Sequence, residues 1–294
     1  SGKEWDLSRK RGGIAFFPPY SSAGSIGYSR GTLESMAGIL SYLQASNADY
    51  FAVSDCDVLC GVDLSDVLEY HIAHDAGITL ICTDTGHGKV MVTPDENGRL
   101  QEATRGGEGA WMFTNMYIIN RQLLIQLVTE AASLNQYSFV DTCLIQKGRE
   151  LPIYCYRYDG FCRAADSMQA YFDISMCLLN PAVRNSLFPM DRPVYTRVQD
   201  EVPVKYGLSA MVSNSLVADG CIIEGRVENC IVFRGARIGH GAVVKNSIIM
   251  QGCSIGNGAD LDYCICDKGV LVADSRRLAG YATYPLYIPR DTRV

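Results

Sequence analysis

Two aspartates, Asp55 and Asp57, close the run Asp49-Tyr50-Phe51-Ala52-Val53-Ser54-Asp55-Cys56-Asp57-Val58-Leu59-Cys60. The run begins apolar, aromatic and β-branched, as a strand buried on both faces of a covered sheet does. Carboxylates at the carboxyl end of such a strand stand where open α/β sheets bind ligands, and could act as catalytic groups or hold a cation. The plainer alternative, solvated or capping acids in an ordinary turn, stays open. His71 and His74 are three apart on a helical segment and could share a metal, but no third ligand is evident, so surface helix positions are expected. Cys56-x3-Cys60 and Cys264-x-Cys266 have poor zinc spacing and read as buried thiols. Gly106-Gly107-Glu108-Gly109 does not follow a strand and open a helix, as a phosphate-cradling loop should.

Alternating strands and helices must position these residues. Gly13–Phe17 reads as a short strand. Thr32 is expected to cap a helix that turns Leu33, Met36, Leu40 and Leu43 to one face. Asp63 suits the N-cap of the next helix, with Val67 and Leu68 inward, followed by a buried strand from Ile78 to Cys82. A hairpin spans Lys89–Ala103 around Pro94-Asp95-Glu96-Asn97-Gly98. Met112–Ile119 and Leu151–Tyr158 read as strands; helices follow Asn120 and Ser167. This alternation predicts an α/β domain with a largely parallel sheet over residues 1–180, then a proline-punctuated linker over 181–206.

From residue 207 the pattern changes. Asn229-Cys230-Ile231-Val232-Phe233-Arg234-Gly235 recurs 17 residues later as Asn246-Ser247-Ile248-Ile249-Met250-Gln251-Gly252, and Ile238-Gly239-His240-Gly241 recurs as Ile255-Gly256-Asn257-Gly258. Val227, Val244 and Leu261 keep the step, and Asn214–Gly220 is a weaker upstream copy. A step near eighteen, with inward aliphatics at every sixth residue and Gly, Asn or Asp at corners, predicts a parallel β-helix of about four coils over 207–294. The Tyr- and Pro-rich tail from Gly269 reads as an extended strap. His240 invites comparison with hexapeptide-repeat acyltransferases, which use a histidine; the alternative is a polar corner residue.

Net charge is −6 over 294 residues, 48% are hydrophobic, and no extended Lys/Arg cluster occurs, which argues against nucleic-acid binding. No apolar run approaches a membrane span and no signal peptide is evident. Twelve scattered cysteines without a framework then fit reduced thiols in a cytoplasmic protein.

An α/β domain followed by a β-helix resembles the sugar-nucleotide pyrophosphorylases, and within them glucose-1-phosphate adenylyltransferase. Arg30-Gly31-Thr32-Leu33-Glu34-Ser35 is similar to the family's R-G-T-A-D-A, and Ser54–Leu59 lies where it has A-G-D-H-I-Y. Gly160-Phe161-Cys162-Arg163-Ala164-Ala165-Asp166-Ser167 corresponds to G-Y-W-R-D-V-G-T, and Glu224–Cys230 with Arg234–Gly239 resembles its β-helix. The resemblance implies a Rossmann-like nucleotidyltransferase domain, a left-handed β-helix, and transfer of a nucleotidyl group from ATP to glucose 1-phosphate with Mg²⁺.

It also implies roles for single residues. Arg30, Gly31, Thr32, Asp55 and Arg105 become remnants of a substrate site, and Asp57 matches the first metal-binding aspartate. The second falls on Ala164, which offers no oxygen, so metal placement is expected to suffer. The family's F-V-E-K-P segment is not retained around Glu102–Gly107, where Arg105 is the nearby cation. Its nucleotide loop, G-G-x-G-x-R-L, is not found, so the first domain is expected to be N-terminally incomplete. These departures, the start Ser1–Leu7 and the cysteine-rich Asp57–Cys60 turn resemble the family's GlgD-type branch. The expectation is a regulatory, catalytically deficient subunit that pairs with a catalytic adenylyltransferase in a homo- or hetero-oligomer and could bind a sugar phosphate or nucleotide. A competent enzyme seen as a truncated chain, and an acyltransferase using His240, are the alternatives.

Overall fold

The structure is a computed structural model that describes residues 13–17, 30–84, 89–106, 109–194 and 200–294. The chain packs as two compact units, Ser1–Cys162 and Arg163–Val294. Gly13–Phe17 is not a strand; Phe16 is 70% exposed and the segment is irregular.

The first unit is a six-stranded mixed sheet with helices. In chain order its elements are α1 (Thr32–Ala37), α2 (Leu40–Ala45), β1 (Tyr50–Ser54), β2 (Val58–Cys60), α3 (Leu64–Ala73) and β3 (Ile78–Thr83). There follow β4 (Val90–Pro94), β5 (Leu100–Arg105), β6 (Trp111–Asn120), α4 (Arg121–Ser133), a π-helical turn over Val140–Gln146, and β7 (Ile153–Arg157). β8 (Cys162–Ala164) spans the division between the units. The sheet order is β5-β4-β6-β3-β7, with β1 also on β6. β1, β3, β4 and β7 run one way, since the first three are antiparallel to β6 and β7 is parallel to β3. The sheet is thus largely parallel in strand direction, while β6, inserted in its middle, makes most of the ladders antiparallel. β3 is buried along its whole length, as the unbroken run Ile78–Thr83 demands of a strand covered on both faces.

β6 is long because it has two partners on one edge. Its last five residues pair with β1, from Tyr50↔Asn120 to Ser54↔Met116, and its first two pair with β4 through Met91↔Met112 and Val92↔Trp111. Between them the ladder to β3 jumps from Ile81↔Met116 to Cys82↔Phe113, a bulge holding Thr114 and Asn115. Asn115 has φ of 59°, a left-handed conformation that asparagine tolerates better than most residues.

Local signals set the helix ends. Asp63 caps α3 by accepting from the Ser65 amide at 2.8 Å. Thr32 is the first residue of α1 rather than its cap; Gly31 holds the N-cap, and the expected single helix breaks at Gly38–Ile39 into α1 and α2. Leu33 and Leu43 are buried in the core with Ile78, Leu80, Ile119 and Leu124. Each such side chain withdrawn from water contributes about 1.5–3 kcal/mol before entropy is counted.

His71 corrects the sequence reading. It is 1% exposed, not a surface residue. Its Nε2 lies 2.8 Å from Asn120 Oδ1, and its Nδ1 lies 2.8 Å from the Thr79 hydroxyl. Because the Asn120 amide nitrogen donates to the Ala76 carbonyl, its oxygen faces the ring, so Nε2 carries the proton and Nδ1 accepts. Burial pushes the ring's pKa down and keeps it neutral.

The second unit is a solenoid with helices α5 (Met168–Cys177) and α6 (Pro181–Leu187) packed as part of the same unit. Packing therefore divides the chain at residue 162, where the sequence places the boundary near 180. Phe172 of α5 is buried against Ile248 and Ile265, two aliphatics on the solenoid, while Met168 at the start of the helix is exposed. The segment read as linker includes α6 and the first solenoid strand.

Fifteen short strands, β9 (Lys205–Tyr206) to β23 (Leu286–Ile288), make three parallel sheets of five. Ladder pairs such as Val227↔Val244↔Leu261 and Val232↔Ile249↔Cys266 stack like residues directly above one another. Inward positions such as Ile223, Val244 and Ile249 have no exposed surface. One corner is left-handed at Asn214, Asn229 and Asn246, and their side chains form a ladder. Asn214 Nδ2 donates to Asn229 Oδ1 at 2.7 Å, Asn229 to Asn246 at 3.2 Å, and Asn246 to Asp262 at 2.9 Å. Gly235 and Gly252, at φ of 67° and 68°, turn another corner where a β-carbon would be strained. The tail is not a separate strap: its strands β22 (Arg277–Ala279) and β23 form the last coil. That coil steps from Ile265 to Tyr287 because the Tyr281–Tyr284 turn is inserted. His240 is an exposed corner residue whose backbone amide donates to Asn257 Oδ1 at 2.9 Å. Among the described residues no helix is long and apolar enough to cross a membrane.

Candidate functional site

The stretch of β6 between its two edge partners opens into a cleft of about 350 Å³. Val53 and Asp55 line it from the end of β1, Lys89 and Val90 from the start of β4, and Phe113, Asn115 and Tyr117 from β6. Arg30, Gly31 and Thr32 enter from the start of α1, Arg105 from the end of β5, and Ser138–Asp141 from the π-helical turn. Arg30, Gly31, Thr32, Asp55 and Arg105, separated widely in the chain, therefore share one cavity wall. Asp57 does not line it; it is half-buried in the turn after β1.

The bulge in β6 aims Asn115 at the strand end. Its Nδ2 donates to Asp55 Oδ2 at 2.9 Å, fixing that carboxylate's position. Thr114, the other bulge residue, donates to the Ile81 carbonyl at 2.7 Å and so pins the irregularity to β3. Tyr117 forms the floor: it is 3% exposed and its ring stacks on Phe139 at 4.2 Å and 3°. Its hydroxyl has no hydrogen-bond partner among the described residues. Burial, with the Cys143 thiol and Asp55 carboxylate adding to it, pushes that hydroxyl's pKa well up, so it stays protonated and able to donate.

Both arginines already have carboxylate partners. Arg105 makes a bidentate pair with Asp141, Nε to Oδ1 at 2.6 Å and Nη2 to Oδ2 at 2.9 Å, and Nη2 also donates to the Ser138 hydroxyl at 3.1 Å. Bidentate guanidinium–carboxylate pairing has the geometry by which arginine also grips phosphate. Arg105, then the Ser138 hydroxyl, hold the Asp141 carboxyl below its ordinary pKa. Arg30 donates from Nε and Nη2 to Glu34 Oε1 at 3.1 and 2.7 Å, and its Cζ lies 3.6 Å above the Tyr137 ring. Gly31 allows this approach: a β-carbon there would lie 2.3 Å from the Tyr137 carbonyl oxygen, which accepts the Leu33 amide at 3.0 Å.

The cleft thus gathers two carboxylate-paired arginines, an oriented carboxylate and a buried hydroxyl donor. Among the described residues no group of three or more His, Cys, Asp or Glu side chains is placed to hold a metal. Asp57 brings one carboxylate, where octahedral Mg²⁺ takes one or two plus substrate phosphates. Ala164 is exposed and carries only a methyl group. Sequence reasoning did not single out Asn115, Tyr117 or Asp141. The polar pair Thr114-Asn115 inside an apolar strand was the available sign of a bulge.

Residues 202–281 match a family model described as GlmU-like, C-terminal hexapeptide. The chain is 34% identical over 294 residues to the glycogen biosynthesis protein GlgD of Bacillus subtilis, covering 98% of this chain and 76% of the relative. It is 36% identical over 244 residues to GlgD of Geobacillus stearothermophilus, covering 83% of this chain and 63% of that protein. To the glucose-1-phosphate adenylyltransferase of the same organism it is 29% identical over 256 residues, covering 83% and 66%. The chain thus spans about two thirds to three quarters of the length of these relatives. On this likeness, together with the α/β unit and the solenoid, the chain belongs to the glucose-1-phosphate adenylyltransferase family, among its GlgD-type members.

Proposed function

We propose that this chain is a regulatory, catalytically deficient subunit of glucose-1-phosphate adenylyltransferase in glycogen biosynthesis. It would pair with a catalytic subunit that joins ATP and glucose 1-phosphate into ADP-glucose and pyrophosphate. The observation that carries this reading is the pre-occupied state of the cleft's arginines, Arg105 by Asp141 and Arg30 by Glu34. Nucleotidyl transfer needs positive charge aimed at phosphate oxygens in the transition state, and a guanidinium already satisfied by a carboxylate supplies less of it. The metal position agrees with this. A single carboxylate from Asp57, with Ala164 where the family's second aspartate falls, leaves Mg²⁺ weakly held and charge neutralisation short by several kcal/mol.

The cleft would then bind a sugar phosphate or nucleotide without turning it over, and the bound state would tune the catalytic partner. The test is ADP-glucose formation by the full-length gene product, alone and mixed with the catalytic subunit, in Mg²⁺. The expected result is negligible turnover alone, an altered rate or effector response in the mixture, and a stable hetero-oligomer by light scattering. Turnover by the gene product alone at the rate of ordinary family members overturns the reading and favours a competent enzyme.

A further inference from the structure

A second cavity of the first unit has a different chemistry. A groove of about 750 Å³ runs between the exposed face of α3, the edge strand β7 and the turn Asp95–Gly98. Its walls are rings: Tyr70, His74, Trp111, Tyr154 and Tyr156 are all half-buried, so each keeps surface toward solvent. Four of them brace one another. Tyr70 lies against His74 at 4.0 Å with the rings tilted by 30° and meets Tyr156 edge-on at 5.4 Å, and His74 lies 5.1 Å from Tyr154. The Tyr70 hydroxyl donates to the Cys155 carbonyl, and the His74 Nδ1 donates to the Tyr70 carbonyl. The Tyr70, His74, Tyr154 and Tyr156 rings are therefore held in place before any ligand arrives, which limits the ordering cost of binding.

Of the three Asp, Glu or Arg side chains that line the groove, Arg157 and Asp95 are already engaged. Arg157 pairs with Asp84 at 2.6 Å and Asp159 at 2.8 Å. Asp95 accepts from the Asn97 and Arg99 amides, each at 2.9 Å, and from Gln101 Nε2 at 3.2 Å. Arg157, the one arginine that lines the groove among the described residues, thus lies between two carboxylates that would repel a phosphate, and Asp95 is held by three donors. Remaining at the rim are the exposed Glu96 carboxylate and Asn97 amide, beside broad aromatic faces. A concave, aromatic-lined site with a few polar groups at its rim suits a neutral ligand that is apolar on its faces and hydroxylated at its edges. A pyranose chain is that ligand.

We propose that this groove binds a neutral oligosaccharide, an α-glucan, separately from the charged cleft. The choice of an α-glucan rests on the glycogen-biosynthesis reading above; the ring-and-amide chemistry does not. Sugar faces would stack on Tyr154, Tyr156 and Trp111, and hydroxyls would bond to Glu96 and Asn97.

The test uses the full chain without a catalytic partner, so that its failure leaves the regulatory reading to its own assay. Electrophoresis through gels containing glycogen reads polymer binding, and a maltoheptaose titration followed by tryptophan emission reads the groove through Trp111 in a Trp5→Phe background, where it is the one tryptophan left. The expected result is retardation and a saturable emission change, with saturating glucose 1-phosphate leaving both unaltered. Tyr154→Ala should weaken binding about tenfold and Tyr154→Phe should retain it, because the ring face carries the contact. Glu96→Ala with Asn97→Ala, in an exposed turn, should weaken it several-fold without touching the core. Absence of retardation, unchanged affinity in both the Tyr154→Ala and turn variants, or competition by glucose 1-phosphate overturns the proposal.

Discussion

Replacing Asp141 by asparagine separates the shape of the charged cleft from its charge. The side-chain amide of Asp141→Asn would keep the volume and one acceptor oxygen, but would no longer neutralise Arg105 through the 2.6 and 2.9 Å pair. The two side chains are 52% and 44% exposed, so water screens them and the pair itself stabilises the fold by at most about 1 kcal/mol. A ligand phosphate on Arg105 would lie about 5 Å from the Asp141 carboxylate, where the repulsion is about 1–2 kcal/mol, between the water and protein-surface limits. Its removal should tighten glucose 1-phosphate binding by roughly 5- to 30-fold, read by calorimetry on the full chain. The melting temperature should barely move. Arg105→Ala should weaken binding, and the double variant should show no gain from Asp141→Asn. If the single variant binds no tighter, or gains equally without Arg105, then Asp141 does not set the cleft's affinity and the reasoning fails. Acid should mimic the variant only at low pH: Arg105 and Ser138 hold the carboxyl below its ordinary pKa, so the pairing energy is lost only as pH falls below about 4.

Two further outcomes concern the scaffold. Asn229→Ala should destabilise the solenoid by about 2–4 kcal/mol in urea titration, since alanine is strained at φ of 52° and two ladder hydrogen bonds go; Asn229→Gly should cost clearly less. Equal losses would show that the backbone conformation contributes nothing. The buried neutral His71 predicts that stability falls as pH drops below about 6.5, where the unfolded chain takes up a proton that the folded ring refuses. In chemical denaturation across that range, His71→Gln should flatten the slope even if its stability is lower throughout; an unchanged slope would assign the pH dependence elsewhere.

The solenoid was the part most fully written in the sequence. Each coil contacts its neighbours at a fixed step, so repetition of Asn229–Gly235 seventeen residues later states the contact as well as the element. The central strands and the Asp63 cap were legible for a similar reason: burial pattern and capping are properties of a few consecutive residues. Five cleft residues, Arg30, Gly31, Thr32, Asp55 and Arg105, were marked by resemblance to a family. Their common wall, however, depends on β6 having two partners on one edge, which no local pattern expresses. Asn115 meets Asp55 across 60 residues, and Asp141 meets Arg105 across 36. These contacts come from the bulge and the π-helical turn, both set by tertiary packing. His71 was misplaced on the surface because a helix face can be judged from its own sequence only as apolar or polar. Whether a polar residue on it is solvated or buried depends on the partners brought to it, here Thr79 and Asn120. The sequence thus determined the repeating and the buried elements, whose energetics are local. The tertiary structure alone decided which distant charges meet, and so that the arginines at the cleft face carboxylates of the chain itself.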